Sequence, residues 1–171
     1  MKKVCFSLSL MILFSIGCSN STEKVRNEIA TLETQLSDQP TEEILHQLLD
    51  KYKEMASKTS GEEHLDYLWK AGETARAAKE FDAAESMFME LYSQKESPEI
   101  AAKALFLYAF MCDEDLKEYE KAKELYARFL QNYPNSDFAD DAQFLLDNLG
   151  KSDEEMLEML SNTPQDESIE N

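Results

Sequence analysis

Side chains that could do chemistry are few in this sequence. It has three cysteines, Cys5, Cys18 and Cys112, and two histidines, His46 and His64. The histidines fall on different expected helices, and no second His, Cys or acid pair stands near either at metal-ligand spacing. Both are therefore expected to be structural or solvent-exposed, with no metal site. Cys112 follows Met111 on an apolar stretch, where a buried, inert thiol is the expectation. Serine-hydrolase spacing (Gly-x-Ser-x-Gly) is absent, as is a catalytic Cys–His pattern. With four glycines in all, a glycine-rich phosphate loop has nowhere to lie. Asp113-Glu114-Asp115 and Asp140-Asp141 lack the alternating oxygen ligands and central glycine of a calcium loop, so they are expected as helix caps and solvated faces. These absences argue against an enzyme and against a cofactor. What is left is surface, and the elements that shape it.

Scarce glycine and proline, four of each in 171 residues, suit long helices with short turns and argue against an all-β fold. The net charge is −18, and the clustered basic residues that a nucleic-acid role needs are not found. The plain account of this acidity is solubility and short-range helix pairs; the sharper one is attraction to a basic partner.

The chain opens with Lys2 and Lys3, then a mostly apolar run from Val4 to Ile16 diluted by Ser7, Ser9 and Ser15. A basic start and a short apolar run read as an export signal over 1–17. It ends in Ser15-Ile16-Gly17-Cys18, followed by the polar Ser19-Asn20-Ser21-Thr22. This resembles a bacterial lipobox, although the family commonly has leucine where Ser15 stands. The resemblance implies cleavage before Cys18, palmitate-type acyl chains on that residue as the membrane anchor, and a tether over 18–22. Several chains hold a protein on a membrane where one would be marginal. Ser19 after the cysteine, by the same resemblance, points to the outer membrane, facing the periplasm. Cys5 leaves with the signal and Cys18 is lipidated, so Cys112 has no disulfide partner.

Helical periodicity fills the rest. Val25, Ile29, Leu32 and Leu36 make a narrow apolar stripe over 23–37, suited to packing on the next helix or, in another reading, to self-association as a coiled-coil seam. Thr41 to Lys58 comes next, with Glu42 and Glu43 in a first turn where the helix dipole favours anions. Further helices are expected at about 62–78 and 81–94, then from Pro98, and over 117–132, where Pro134 stops the helix. Phe138 to Leu149, capped by Gly150, and a short helix capped by Ser152 over 153–160 complete the set. Residues 161–171 are expected as a disordered acidic tail.

One offset recurs through these helices. Lys79-Glu80-Phe81 matches Lys117-Glu118-Tyr119, Ala84 matches Ala122, Phe88 matches Tyr126, and Phe106 matches Phe144, each 38 residues on. A period of this size is the mark of a helical solenoid. Gly72, Phe81, Ala84 and Phe88, and again Ala109, Tyr119, Ala122, Tyr126 and Pro134, resemble the tetratricopeptide repeat. Extra turn residues around Asp113 to Leu116 are expected to lengthen the period. The resemblance implies an all-α, right-handed superhelical solenoid of three to four helix pairs over 23–160, clearest over 62–150.

In that family the first helices line a groove that holds a peptide or a partner helix. Trp69, Arg76, Lys103, Phe106, Phe110, Phe144 and Asn148 fall on those helices and are the expected groove residues, Trp69 first among them. The alternative is that Phe106 and Phe144 pack between the helices of their own units, and the sequence leaves both open. The segment Phe129 to Phe138, together with the lipobox, is also similar to outer-membrane assembly lipoproteins of the BamD type and to the periplasmic repeat protein of the Tol–Pal system. The expected function is a lipid-anchored envelope scaffold that binds proteins. The alternatives are a part in barrel assembly or Tol–Pal-linked machinery, or a structural lipoprotein that forms a homo-oligomer.

Overall fold

The computed structural model describes residues 15–152 together with 154, 155 and 158, with backbone alone for 15–20. Most of the expected signal segment and the acidic tail lie outside the described residues. Seven α-helices succeed one another among the described residues: α1 (Ser15–Asp38), α2 (Glu42–Lys58), α3 (Gly61–Ala77), α4 (Phe81–Tyr92), α5 (Pro98–Phe110), α6 (Tyr119–Asn132) and α7 (Ala139–Asp147). The chain is thus an all-α helical repeat protein. It divides into two compact units, residues 1–87 and 88–171, rather than the single block over 23–160 that the sequence suggests. The boundary falls inside α4.

In the first unit, α1 packs on α2 and α2 on α3. Val25, Ile29 and Leu32 are buried and Leu36 is half-buried, so the narrow stripe is taken up by α2. The self-association seam read from that stripe is therefore corrected: its side chains are already used inside the unit. Leu48, Leu49, Tyr52 and Met55 supply the facing side of α2. From α3 come Leu68, Ala71, Gly72 and Ala75. Small residues let two backbones approach, which offsets the roughly 1 kcal/mol a mid-helix glycine costs against alanine. Thr41 caps α2, its Oγ1 accepting from the Ile44 amide at 3.3 Å. Such a cap contributes about 1 kcal/mol. Helix α1 starts at Ser15, earlier than Glu23, and takes in the residues expected as a tether. Lys58 Nζ donates to Ser21 Oγ at 3.1 Å, fixing this end to α2.

In the second unit, α5 packs on α6 and α6 on α7. Pro98 opens α5, where its fixed φ and missing N–H cost nothing. Seven of its residues, Ala101, Ala102, Ala104, Leu105, Phe106, Tyr108 and Ala109, are buried. Ala122, Leu125, Tyr126 and Phe129 of α6 are their partners in the core. After α7, Gly150 adopts φ +75°. Ser152 and Glu155 then exchange hydrogen bonds, Ser152 N to Glu155 Oε2 at 2.8 Å and Glu155 N to Ser152 Oγ at 3.3 Å. This is the reciprocal cap expected at the start of a last helix.

The offset seen in the sequence reappears in the backbone. Lys79 and Lys117 are the two non-glycine residues with positive φ among the described residues, at 60° and 56°, and Phe81 and Tyr119 begin α4 and α6. Gly72 and Ala109, the small residues of the two first helices, stand 37 apart, whereas Lys79 and Lys117 stand 38 apart. The one-residue excess is absorbed by a π-helical turn, Met111–Asp115, where Leu116 N bonds to Met111 O at 3.0 Å. A π turn admits an extra residue without breaking the helix. The expected loop around Asp113 is therefore corrected to a continuation of α5.

Candidate protein-binding surfaces

On α3, Leu68, Ala71, Gly72 and Ala75 form the buried face, and Trp69 and Arg76, seven residues apart, sit half-buried at its margin. Both have polar or ring partners of their own. A cluster that sequence reasoning missed lies close by on α2 and α3. The Tyr52 and Tyr67 rings are 6.3 Å apart, and Lys70 Nζ lies 5.9 Å and 5.6 Å from their centroids. Tyr52 Oη donates to Glu33 Oε1 at 2.6 Å. Burial first, and the Glu33 carboxylate second, hold the Tyr52 phenol neutral far above its usual range. The spacing of Tyr67 and Lys70 along one helix was its only signal. Between α1 and α2 an open groove of about 750 Å³ is lined by Asn27, Thr31, Gln35 and Gln47, with Lys51 paired to Glu28 at 2.6 Å.

In the second unit Phe106 is not a groove residue. It is 8% exposed and sits among Phe138 at 5.0 Å, Phe129 at 5.7 Å, Tyr126 at 6.2 Å and Phe110 at 6.4 Å between centroids. The packing alternative holds for this residue, because α6 and the segment before α7 both supply rings to cover it. Phe110 is half-buried on its edge, while Lys103 is exposed. Lys103, Leu107 and Phe110 share one side of α5, four and three residues apart. Phe144 is the opposite case from Phe106, at 47% exposed. Asn148 is engaged locally: its Nδ2 donates to the Phe144 carbonyl at 2.7 Å, and its Oδ1 accepts from Lys151 Nζ at 2.9 Å.

The π turn carries a further correction. Asp113, expected on a solvated face, is buried at 4% exposure. Burial and then the neighbouring Glu114 charge raise its carboxyl above the ordinary range, with Lys117 pulling the other way. Glu114 is itself tied to Lys117, Oε2 to Nζ at 3.1 Å. The Tyr126 hydroxyl, buried and electrostatically coupled to Asp113, has no well-formed hydrogen bond. A crevice of about 20 Å³ beside Asp113, lined also by Tyr119, Leu145 and Asn148, has room for about one water and not for a substrate. Cys112 is buried, and His64 Nδ1 lies 2.8 Å from the Ala56 carbonyl. Among the described residues no group of three or more His, Cys, Asp or Glu could hold a metal ion. No described helix is long and apolar enough to cross a membrane.

A tetratricopeptide-repeat family model matches residues 103–136, from within α5 to just past α6. No curated protein and no solved structure matches the chain. The match covers the π turn and all of the aromatic core described above but Phe138, so the chain contains a tetratricopeptide repeat. Repeats of this kind generally mediate protein–protein binding and are typically non-enzymatic scaffolds.

Proposed function

We propose that this chain is a lipid-anchored cell-envelope scaffold that binds other proteins through the outer sides of its first helices. The observation that carries the binding role is the tetratricopeptide repeat over 103–136, built on a rigid aromatic core that leaves the Lys103, Leu107 and Phe110 side of α5 at the surface. A preformed helical face binds without first paying to order itself. The anchor rests on Ser15-Ile16-Gly17-Cys18 after a basic and apolar start, with the outer membrane, facing the periplasm, as its site. A narrower role in barrel assembly or Tol–Pal-linked machinery rests on the same lipobox and on the Phe129 to Phe138 segment.

The test is capture from membranes with the full chain, compared with Trp69→Ala and Phe110→Ala variants that keep the parental helical melt. Envelope proteins retained by the parent and lost from a variant identify the face and name the pathway. Equal capture by all three removes these faces as the binding surface. A Cys18→Ala chain that still labels with palmitate and still floats with membranes removes the anchor.

A further inference from the structure

The two residues of one repeat position, Phe106 and Phe144, differ sharply in burial, 8% against 47% exposed. Phe106 is covered by Tyr126 and Phe129 of α6. Carried on by the same 38-residue offset, those two covering positions fall on Pro164 and Glu167. Neither supplies an aromatic ring. Phe144 is thus the exposed counterpart of a core aromatic.

The frame around Phe144 says what fits there. Its neighbours on the helix surface, three and four residues away in each direction, are Asp140, Asp141, Asp147 and Asn148. Asp140, Asp141 and Asp147 are exposed and form no ion pair among the described residues. The next two residues, Leu145 and Leu146, are half-buried. A second copy of the chain seated symmetrically here would set these carboxylates against their own copies, in a protein of net charge −18. The chain's own next segment carries Asp153, Glu154, Glu155 and Glu158, of the same charge as these three acids, beside the single Lys151 already bonded to Asn148. A basic partner meets no such repulsion and is attracted.

We propose that the exposed side of α7 around Phe144 docks a basic amphipathic helix of a partner protein, apolar residues on the ring and lysines or arginines against Asp140, Asp141 and Asp147. This rests on the binding role proposed above but not on the lipid anchor, nor on the α3 and α5 faces.

The probe is a labelled Leu/Lys amphipathic helical peptide, with its Leu/Glu counterpart, titrated against the full chain by fluorescence anisotropy. The expected result is binding of the Leu/Lys peptide alone. It weakens roughly tenfold or more in Phe144→Ala, and similarly in Asp140→Asn/Asp141→Asn/Asp147→Asn. An equal charge change elsewhere, Asp38→Asn/Asp50→Asn/Glu73→Gln, leaves it unchanged. Binding that survives Phe144→Ala, or that falls as much with the distant charge change, overturns the proposal in favour of bulk charge. Binding that tightens severalfold in Met156→Ser/Leu160→Ser makes the chain's own segment the occupant. Sedimentation of a dimer that Phe144→Ala returns to monomer makes it a second copy. Either outcome overturns the basic partner. Failure here with successful membrane capture leaves the scaffold role standing and removes only this surface.

Discussion

The two compact units solve one problem with different chemistry. In the first, polar bridges cross between helices: Lys51 to Glu28 at 2.6 Å, Arg26 to Glu63 at 2.6 Å, and Tyr52 to Glu33 at 2.6 Å. Beneath them α3 offers small residues, Ala71, Gly72 and Ala75. In the second, rings meet rings around Phe106, and α5 is buried on most sides. Exposed ion pairs are individually weak, whereas a buried ring contributes several kilocalories per mole. The second unit should therefore depend on a few rings, and the first on buried aliphatic residues such as Leu48 and Met55 rather than on any one bridge.

The largest test of that contrast is Phe129→Ala. Phe129 is fully buried against Phe106 and Tyr133. Its truncation should cost about 3–5 kcal/mol, enough to unfold the second unit of a marginally stable protein. In urea, the near-ultraviolet circular dichroism of the second unit's tyrosines is expected to be lost at low denaturant, while the far-ultraviolet signal from the helices of the first unit persists. A variant that unfolds as late as the parent would show that the aromatic cluster is not what holds this unit.

A smaller effect separates the units by pH. Burial holds the Asp113 carboxyl protonated to higher pH in the folded chain than in the unfolded one. Its contribution to stability is full below the ordinary carboxylate range, about pH 4, and is lost as pH rises through the raised folded value. Glu28 and Glu54 of the first unit move the other way, each lowered by a lysine partner, so their contribution is lost on acidification. Asp113→Asn should gain on the parent as pH rises from about 4 to neutrality and match it most closely at the acid end. Stability curves for the two chains across that range check the sign; a constant difference at all pH values would mean that Asp113 does not titrate in the fold.

The helices and their repeat were legible because apolar spacing and the Lys79/Lys117 offset are local signals. The narrow Val25 to Leu32 stripe was legible as a packing face for the same reason. The π turn was not. A one-residue excess reads as loop in sequence, and only the choice between i→i+4 and i→i+5 bonding shows that the helix runs on to Asp115. Asp113 was misplaced with it, since an acid beside two others looks solvated until the added residue turns it inward. Among the candidate surface residues, Phe106 and Phe144 are indistinguishable by spacing. The burial of Phe106 comes from the rings of Tyr126, Phe129 and Phe138 packed on it, which no spacing within α5 itself encodes. Burial of a ring is settled by its covering partners, which here stand well downstream in the chain.

The smallest effect belongs to the bridges. Lys51 spans from α2 to Glu28 of α1 and also lies 3.5 Å from Glu54. Its side chain is 32% exposed, so water and salt screen both contacts. Lys51→Met keeps the aliphatic stem over the helix surface and removes the charge, and its urea midpoint should fall within error of the parent at physiological salt. At low ionic strength a small loss should emerge, because two carboxylates then face each other with less screening. If Lys51→Met instead unfolds the first unit at either salt, the bridges form a coupled network rather than a set of separate weak pairs. The first unit would then depend on its bridges as the second depends on its rings.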